Sequence, residues 1–197
     1  MSKTIPDHYD PISYWAQREH PNTGEAPGIS PPHRQYFSEN TIGAKSILEL
    51  GPGIGRLFPL YKGMERVAAL DLSHKYQDHA KDAARHAGVL LEQYFLNNAV
   101  ESYPFDDGEF DVAVASFVLL HVPFENIQHT ISELSRVAKK VIVFDGDDPK
   151  WPATEADRKP SSHCFRHDHG ALCKELGLAK APTERFQGGS IGFTFSR

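Results

Sequence analysis

Residues 47–56, with the sequence ILELGPGIGR, decide the fold class of this chain. A short apolar run that carries Glu49 ends at Leu50. Three glycines at alternate positions follow it, namely Gly51, Gly53 and Gly55. This pattern predicts a buried strand that leads into a tight turn, where little side-chain bulk separates the backbone from a ligand. The dinucleotide-binding fingerprint needs its third glycine one position later, and Arg56 stands there instead.

Length and composition limit the classes to which the chain can belong. Its 197 residues suit one domain with a full core, or one domain plus a small cap, and 40% hydrophobic and 24% charged residues are typical of soluble globular proteins. No apolar run is long enough to cross a bilayer, and residues 1–7 lack the apolar core of a signal peptide. The chain has only two cysteines, so we expect a cytoplasmic protein. Its net charge is -5 and it has no Lys/Arg block, so we expect no nucleic-acid partner, and we expect no membrane partner either.

We divide the chain into a cap segment, residues 1–44, and a core, residues 45–197. The cap segment is rich in Pro, His and aromatic residues, which predicts short helices around 11–18 and 31–40 rather than one long element. In the core, strand patterns alternate with helix patterns. The predicted strands span 46–50, 67–71, 89–95, 110–116 and 141–144, and two more strand-like runs form a hairpin within 183–197.

Two amphipathic stretches predict helices between these strands. One is capped by Ser73 and stopped by Gly88, and the other is opened by Pro123 and carries apolar residues to Val137. A third, short helix is expected over 168–176. The predicted fold is α/β, with a doubly wound, mostly parallel seven-stranded sheet covered on both faces and a small N-terminal cap.

Residues 46–145 resemble the class I S-adenosylmethionine-dependent methyltransferases, in which an acid precedes alternating glycines. The resemblance implies a Rossmann-like fold and S-adenosylmethionine as the methyl donor, with Glu49 and the three glycines at its amino-acid part. Asp71 ends the second predicted strand, 20 residues after Gly51, and can accept hydrogen bonds from both ribose hydroxyls, with Leu72 beside it. Taken without the glycine turn, Asp71 would equally be an acid that caps the following helix.

In this family an early acid after the third strand commonly holds the adenine amino group. The chain has no acid at the matching place, which is near Ala99. The neighbouring amide of Asn98 can accept from an exocyclic amine, and Ala99 can supply backbone contacts. Both residues are therefore candidate donor-binding residues.

The fourth predicted strand and the loop after it resemble the fourth motif of the family. Ser116 and Phe117 would then face the donor, and His121 would face the acceptor. An oxygen or amine acceptor can need a base, and imidazole titrates near neutral pH, so His121 is our candidate base. An equally weighted alternative is a histidine that only orders its loop through a backbone hydrogen bond.

Two further groups of residues have types and spacings that could suit a binding site. Tyr14 and Arg18 lie at helical spacing in the cap segment, and many family members place an aromatic residue or an arginine there, over the carboxylate of the donor. His163, His167 and His169 lie near two cysteines, but no pair has zinc-site spacing with a matching partner pair, so we expect no metal. Residues 161–168 are expected instead to line the acceptor pocket or to cap the next helix.

Three functions remain open at this point. The first is methyl transfer from S-adenosylmethionine to a small-molecule acceptor, which the acidic balance and the compact core favour. The second is a module that binds the donor without catalysis. The third is a nicotinamide-dependent oxidoreductase, against which Arg56 and the lack of a Tyr-x-x-x-Lys pair argue. The oligomeric state and the acceptor are left open by the sequence.

Overall fold

The computed structural model describes residues 9–18, 29–98, 100–159 and 162–197. The described residues form five α-helices: α1 (Pro11–Gln17), α2 (Pro31–Asn40), α3 (Gln77–Ala87), α4 (Phe124–Val137) and α5 (His169–Glu175). They also form eight strands: β1 (Ser46–Leu50), β2 (Arg66–Asp71), β3 (Leu91–Phe95), β4 (Phe110–Ser116), β5 (Ala138–Gly146), β6 (Ala179–Lys180), β7 (Glu184–Arg185) and β8 (Ser190–Ser196).

All eight strands belong to one sheet with the order β3-β2-β1-β4-β5-β8-β6, and β7 also pairs with β8. The strands from β3 to β5 are parallel, whereas β8 runs antiparallel to β5. The doubly wound, mostly parallel sheet is therefore confirmed. One more strand is present than the seven expected, because β6 and β7, of two residues each, both pair along β8.

Helices cover both faces of this sheet, as its continuous apolar strands require. Neighbouring residues of a strand point to opposite faces, so Ile47 and Leu48 of β1 belong to different hydrophobic clusters although both are fully buried. The cluster that contains Leu48 packs against α4 and α5. The cluster that contains Ile47 packs against α2 and α3. The sheet is the middle of three layers.

Several element boundaries differ from the sequence prediction for local reasons. Helix α3 begins at Gln77 rather than directly after Ser73, because Ser73 lies in a turn, where its backbone N–H donates to Asp71 Oδ1 at 3.0 Å. Strand β3 begins at Leu91 rather than at residue 89, since Gly88 adopts φ 71° and the N–H of Val89 closes the helix end on Ala84. The predicted tail hairpin is present as β7 and β8.

The two helices of the predicted cap segment lie in different places. The aromatic residues Tyr36 and Phe37 of α2 pack on the sheet within the Ile47 cluster. Helix α1 packs instead on two loops near the carboxyl ends of the strands: Trp15 lies 4.9 Å from His121 and Tyr14 lies 5.1 Å from His163, between ring centroids. Helix α1 is therefore placed above the edge of the sheet where a ligand would bind. The division at residue 44 stays a prediction.

Candidate active site

A cavity opens at the carboxyl ends of β1, β2 and β4. Strand β1 pairs with β2 on one side and with β4 on the other, so the strand order reverses here, which is where open α/β sheets bind ligands. Residues from the strand ends, from α1 and from the loop after β4 line this cavity. They include Pro11, Trp15, Gly51, Gly53, Arg56, Asp71, Leu72, Ser73, Leu96, Tyr103, Ser116, Phe117, Val118 and His121.

The glycine turn forms the floor of this cavity. Gly51 has φ 64°, and a Cβ atom there would lie 2.6 Å from Cγ2 of Val118, so a side chain would be strained and would also fill the cradle. Gly55 does not line the cavity: a Cβ atom on it would meet the ring of Phe58 and Ala83 at less than 3 Å. The first two glycines thus leave room for a ligand, whereas the third allows close internal packing.

Asp71 closes one end of the cavity. Its Oδ1 accepts a hydrogen bond from the N–H of Ser73 at 3.0 Å. Asp71 therefore also orders the turn that follows it, which is close to the helix-capping role given above as the alternative. Burial raises the pKa of Asp71 to about 6, against the hydrogen bonds from backbone N–H groups that lower it. The carboxylate is ionised at neutral pH and can still accept hydrogen bonds from the hydroxyl groups of a ligand. Leu72 and Ser73 line the cavity beside it.

The segment after β3 places Leu96 and Tyr103 in the cavity wall, and neither was singled out from the sequence. Asn98 is exposed outside the cavity, where its Oδ1 accepts the N–H of Val100 at 3.1 Å. Ala99 lies outside the described residues. The roles assigned to Asn98 and Ala99 stay predictions. Leu96 could have been singled out from its position directly after a strand end.

His121 lies at the other end of the cavity, in a single turn of 3-10 helix, Leu119–His121. Its Nδ1 is 2.7 Å from the carbonyl oxygen of His163, and Sγ of Cys164 is 3.7 Å from the same nitrogen. Because a carbonyl only accepts, Nδ1 carries the proton and Nε2 is the unprotonated nitrogen of the neutral ring. Burial lowers the pKa of His121 to about 4, so the ring is neutral at physiological pH.

Long-range contacts hold the loop that carries His121. The hydroxyl of Tyr9 donates to the carbonyl of His121 at 3.0 Å. The N–H of Phe165 donates to the carbonyl of Leu120 at 2.7 Å. The N–H of Leu120 in turn donates to Oδ1 of Asp145, which is 1% exposed at the end of β5, at 3.3 Å. These partners are 25 to 112 residues away in the chain, and no local signal in the sequence pointed to them.

Helix α1 contributes Pro11 and Trp15 to the cavity wall, whereas Tyr14 and Arg18 do not line it. The guanidinium carbon of Arg18 lies 5.1 Å from the ring centroid of Tyr14, and the ring of Tyr14 stacks on His163. Trp15 is not among the site residues predicted from the sequence. The donor contacts assigned to Tyr14 and Arg18 stay predictions.

Glu49 is buried beneath the glycine turn and does not line the cavity. Its Oε2 accepts the hydroxyl of Tyr61 at 2.9 Å. Burial raises the pKa of Glu49 to about 8, although the charge of Arg56 acts in the opposite direction. Glu49 is therefore mostly protonated at neutral pH, and any effect on a bound donor would pass through the turn above it.

His163, His167 and His169 do not gather around a common point with the cysteines. Within the described ranges, no three His, Cys, Asp or Glu side chains are grouped as metal ligands would be. His167 Nε2 bonds the carbonyls of Leu119 and Val122, so this residue also supports the His121 loop.

No helix in the part of the chain that is described has the length and hydropathy to cross a membrane.

Comparison with known proteins agrees with this geometry. The methyltransferase domain family matches residues 48–143. A phosphatidylethanolamine N-methyltransferase of Cereibacter sphaeroides is 30% identical over 111 residues, which are 56% of this chain and 53% of that protein, so the match spans about half the length of this curated relative.

Solved structures share the fold at low sequence identity. A SAM-dependent methyltransferase from Aquifex aeolicus superposes with a TM-score of 0.61 at 19% identity, over 82% of this chain and 87% of that one. An O-methyltransferase family protein from Burkholderia thailandensis gives a TM-score of 0.66 at 18% identity, over 84% of this chain and 55% of that one.

The strand order, the glycine turn and the acid at the end of β2 define a Rossmann-like donor-binding domain. Together with the family match over residues 48–143, they identify this part of the chain as a class I S-adenosylmethionine-dependent methyltransferase domain. The family and the cofactor class predicted from the glycine turn are thereby confirmed.

Proposed function

We propose that this chain transfers a methyl group from S-adenosylmethionine to a small-molecule acceptor. The observation that carries the proposal is that one cavity joins the glycine turn, Asp71 and a neutral histidine. In this arrangement Asp71 holds the ribose, Gly51 and Gly53 admit the amino-acid part, and Leu72 and Leu96 offer apolar surface to the adenine. When bound, the donor supplies a methyl carbon whose bond to sulfur breaks as the lone pair of the acceptor forms a new bond.

The protein contributes alignment, exclusion of water and a proton acceptor. Ser116 and Phe117 line the cavity between the glycine turn and His121, which suits the reacting centre. Pro11 and Trp15 of α1 cover this region with apolar surface. Nε2 of His121 is available to take the proton of the acceptor because Nδ1 already donates to His163. His121 is thus assigned as the base, and its lowered pKa makes it a weaker proton acceptor than the near-neutral imidazole expected from the sequence.

Calorimetry tests donor binding directly. We expect S-adenosylhomocysteine to bind the purified protein and NAD not to bind, since Arg56 occupies the place of the third glycine of the dinucleotide fingerprint. Binding of NAD alone would support the oxidoreductase alternative. Turnover is then measured with radiolabelled S-adenosylmethionine against small amines and phenols and, because of the named relative, against phosphatidylethanolamine vesicles. Donor binding without turnover on any acceptor would favour the non-catalytic module.

His121→Asn separates catalysis from loop structure. The Asn amide occupies the place of Nδ1 and can still donate to the carbonyl of His163, but it has no counterpart of Nε2. We expect the turnover rate to fall about a hundredfold or more, the usual contribution of a general base, while S-adenosylhomocysteine affinity stays unchanged. His79→Asn, on the surface of α3, is the control. An unchanged rate in His121→Asn would show that His121 only orders its loop.

A further inference from the structure

A second cavity adjoins the donor cavity on the α2 side of the sheet. It is lined by Ile29, Ser30, His33, Arg56, Leu57, Ser116 and Phe117. Three of these residues, Arg56, Ser116 and Phe117, also line the donor cavity. The two spaces therefore share a wall, and the second one begins where the reacting centre is expected.

Phe117 shapes this shared wall. Among the described residues it is the one non-glycine residue in the left-handed region, with φ 56°, and its N–H donates to the carbonyl of Phe144 at 2.7 Å. Such a conformation costs energy and persists where the surroundings enforce it, commonly at functional sites. Phe117, with its strained backbone directly after β4, lines both cavities.

Arg56 brings a positive charge to both cavities. Its guanidinium carbon lies 5.8 Å from the ring centroid of Phe117. Within the described residues, no carboxylate forms an ion pair with Arg56. The buried Glu49 lies within range of its charge, but Glu49 is mostly protonated at neutral pH and bonds Tyr61. A guanidinium that faces open space is suited to bind an anionic group through two parallel hydrogen bonds.

The rest of the second cavity carries no charge that would compete with Arg56. Both ring nitrogens of His33 have hydroxyl partners, Ser30 Oγ at Nδ1 and Ser190 Oγ at Nε2. Burial and the nearby Arg56 lower the pKa of His33, so its ring stays neutral. Ile29 and Leu57 add apolar surface. The lining thus combines one cation with uncharged polar and apolar groups.

We propose that the second cavity is the acceptor subsite, and that it selects acceptors which carry one anionic group, a carboxylate or a phosphate, bound by Arg56. The inference rests on the proposed function. It goes further by stating the chemical class of the acceptor. Because Arg56, Ser116 and Phe117 line both cavities, an acceptor anchored at Arg56 lies next to the donor cavity, where the methyl group is expected.

The same charge could instead bind the carboxylate of the donor, and two ligands distinguish these sources. S-adenosylhomocysteine carries the carboxylate, whereas 5′-methylthioadenosine has the nucleoside and the thioether without the amino-acid part. Both are titrated calorimetrically into the wild-type protein, Arg56→Gln, Arg56→Lys and Arg34→Gln. Arg34→Gln removes one exposed cation from α2 and so controls for net charge. Inorganic phosphate is then titrated into each protein with and without saturating S-adenosylhomocysteine.

We expect Arg56→Gln to weaken phosphate binding to the S-adenosylhomocysteine-loaded protein at least about tenfold, and Arg56→Lys to weaken it less, because lysine keeps the charge but not the planar fork. The ratio of S-adenosylhomocysteine to methylthioadenosine affinities should stay unchanged in both variants. Arg34→Gln should match the wild type.

Two results would overturn the acceptor subsite. One is a selective loss of S-adenosylhomocysteine affinity in Arg56→Gln, which would assign Arg56 to the donor carboxylate. The other is phosphate binding that is absent from the loaded wild-type protein or equal in the wild type and Arg56→Gln. Failure of the proposed function looks different, since the wild type would then bind neither nucleoside, and phosphate binding to the unloaded protein would still decide whether Arg56 forms an anion site. Thermal unfolding confirms that each variant is folded.

Discussion

The two ends of the donor cavity are built in different ways. At the Asp71 end, the glycine turn and the carboxylate come from two adjacent parallel strands, and backbone conformation does most of the shaping. At the His121 end, three segments distant in sequence meet: α1 with the preceding Tyr9, the turn after β4, and residues 162–167. The first end depends on a few residues that admit no side chain, and the second depends on contacts that only the folded chain creates. Substitutions at the two ends should therefore fail differently.

Gly51→Ala should have the largest effect, because it acts on the end that backbone conformation controls. The new Cβ atom is strained at φ 64° and lies 2.6 Å from Val118. We expect S-adenosylhomocysteine affinity to fall about a hundredfold, or ~2.7 kcal/mol, by calorimetry. Gly43→Ala is the matched control, since Gly43 has φ 77° but nothing within 4 Å of the added atom. Equal affinities in the two variants would contradict the importance of the cradle.

Glu49→Gln tests the buried acid under the turn through the pH dependence of stability. The pKa of Glu49 is raised to about 8 in the folded protein, so its stabilising contribution is complete below its unfolded pKa and is lost as pH rises through 8. Relative to Glu49→Gln, the free energy of unfolding of the wild type should fall by about 1.4 kcal/mol per pH unit between the unfolded pKa of Glu49 and pH 8. Urea unfolding at several pH values measures it. Parallel curves would show that the acid is ionised in the folded state, and the exposed Glu39→Gln is the control.

Asp71→Asn should weaken S-adenosylhomocysteine binding by about thirtyfold, or ~2 kcal/mol, since a charged acceptor for the ribose hydroxyls becomes neutral. Because the pKa of Asp71 is raised to about 6, wild-type affinity should decline as pH falls below 6, and the variant should lack this decline. Asp78→Asn, on α3, should retain it. A wild-type affinity that is flat between pH 5 and 8 would argue that Asp71 only orders the turn at Ser73.

Tyr9→Phe should have the smallest effect, and it should be confined to the His121 end. It removes the hydroxyl that bonds the carbonyl of His121, at a cost of about 1 kcal/mol. We expect kcat to fall several-fold while S-adenosylhomocysteine affinity is unchanged, as measured by steady-state kinetics and calorimetry. Tyr94→Phe, which removes a hydroxyl that bonds Glu92 at a residue that does not line the cavity, is the control. A loss of donor affinity in Tyr9→Phe would show that the two ends are coupled.

The site residues that could be predicted from the sequence lie mainly at the Asp71 end of the cavity. Gly51, Gly53 and Asp71 could be placed because parallel strands end at one edge of a sheet, so a turn and an acid after neighbouring strands must meet. Trp15, Tyr103 and Asp145 could not be placed, because their roles come from loop paths rather than from periodicity. Helical spacing located α1, but only the folded structure shows that Pro11 and Trp15 line the cavity; the donor contacts of Tyr14 and Arg18 stay predictions.

The sequence by itself determined the α/β class, the positions of the central strands and the donor-binding turn, since apolar periodicity and glycine spacing act over a few residues. Only the tertiary structure decided that His121 is neutral with Nε2 available, that α1 lies above the cavity while α2 joins the core, and that Arg56 faces a second cavity. These properties depend on burial and on contacts between residues far apart in the chain, and no local pattern encodes them.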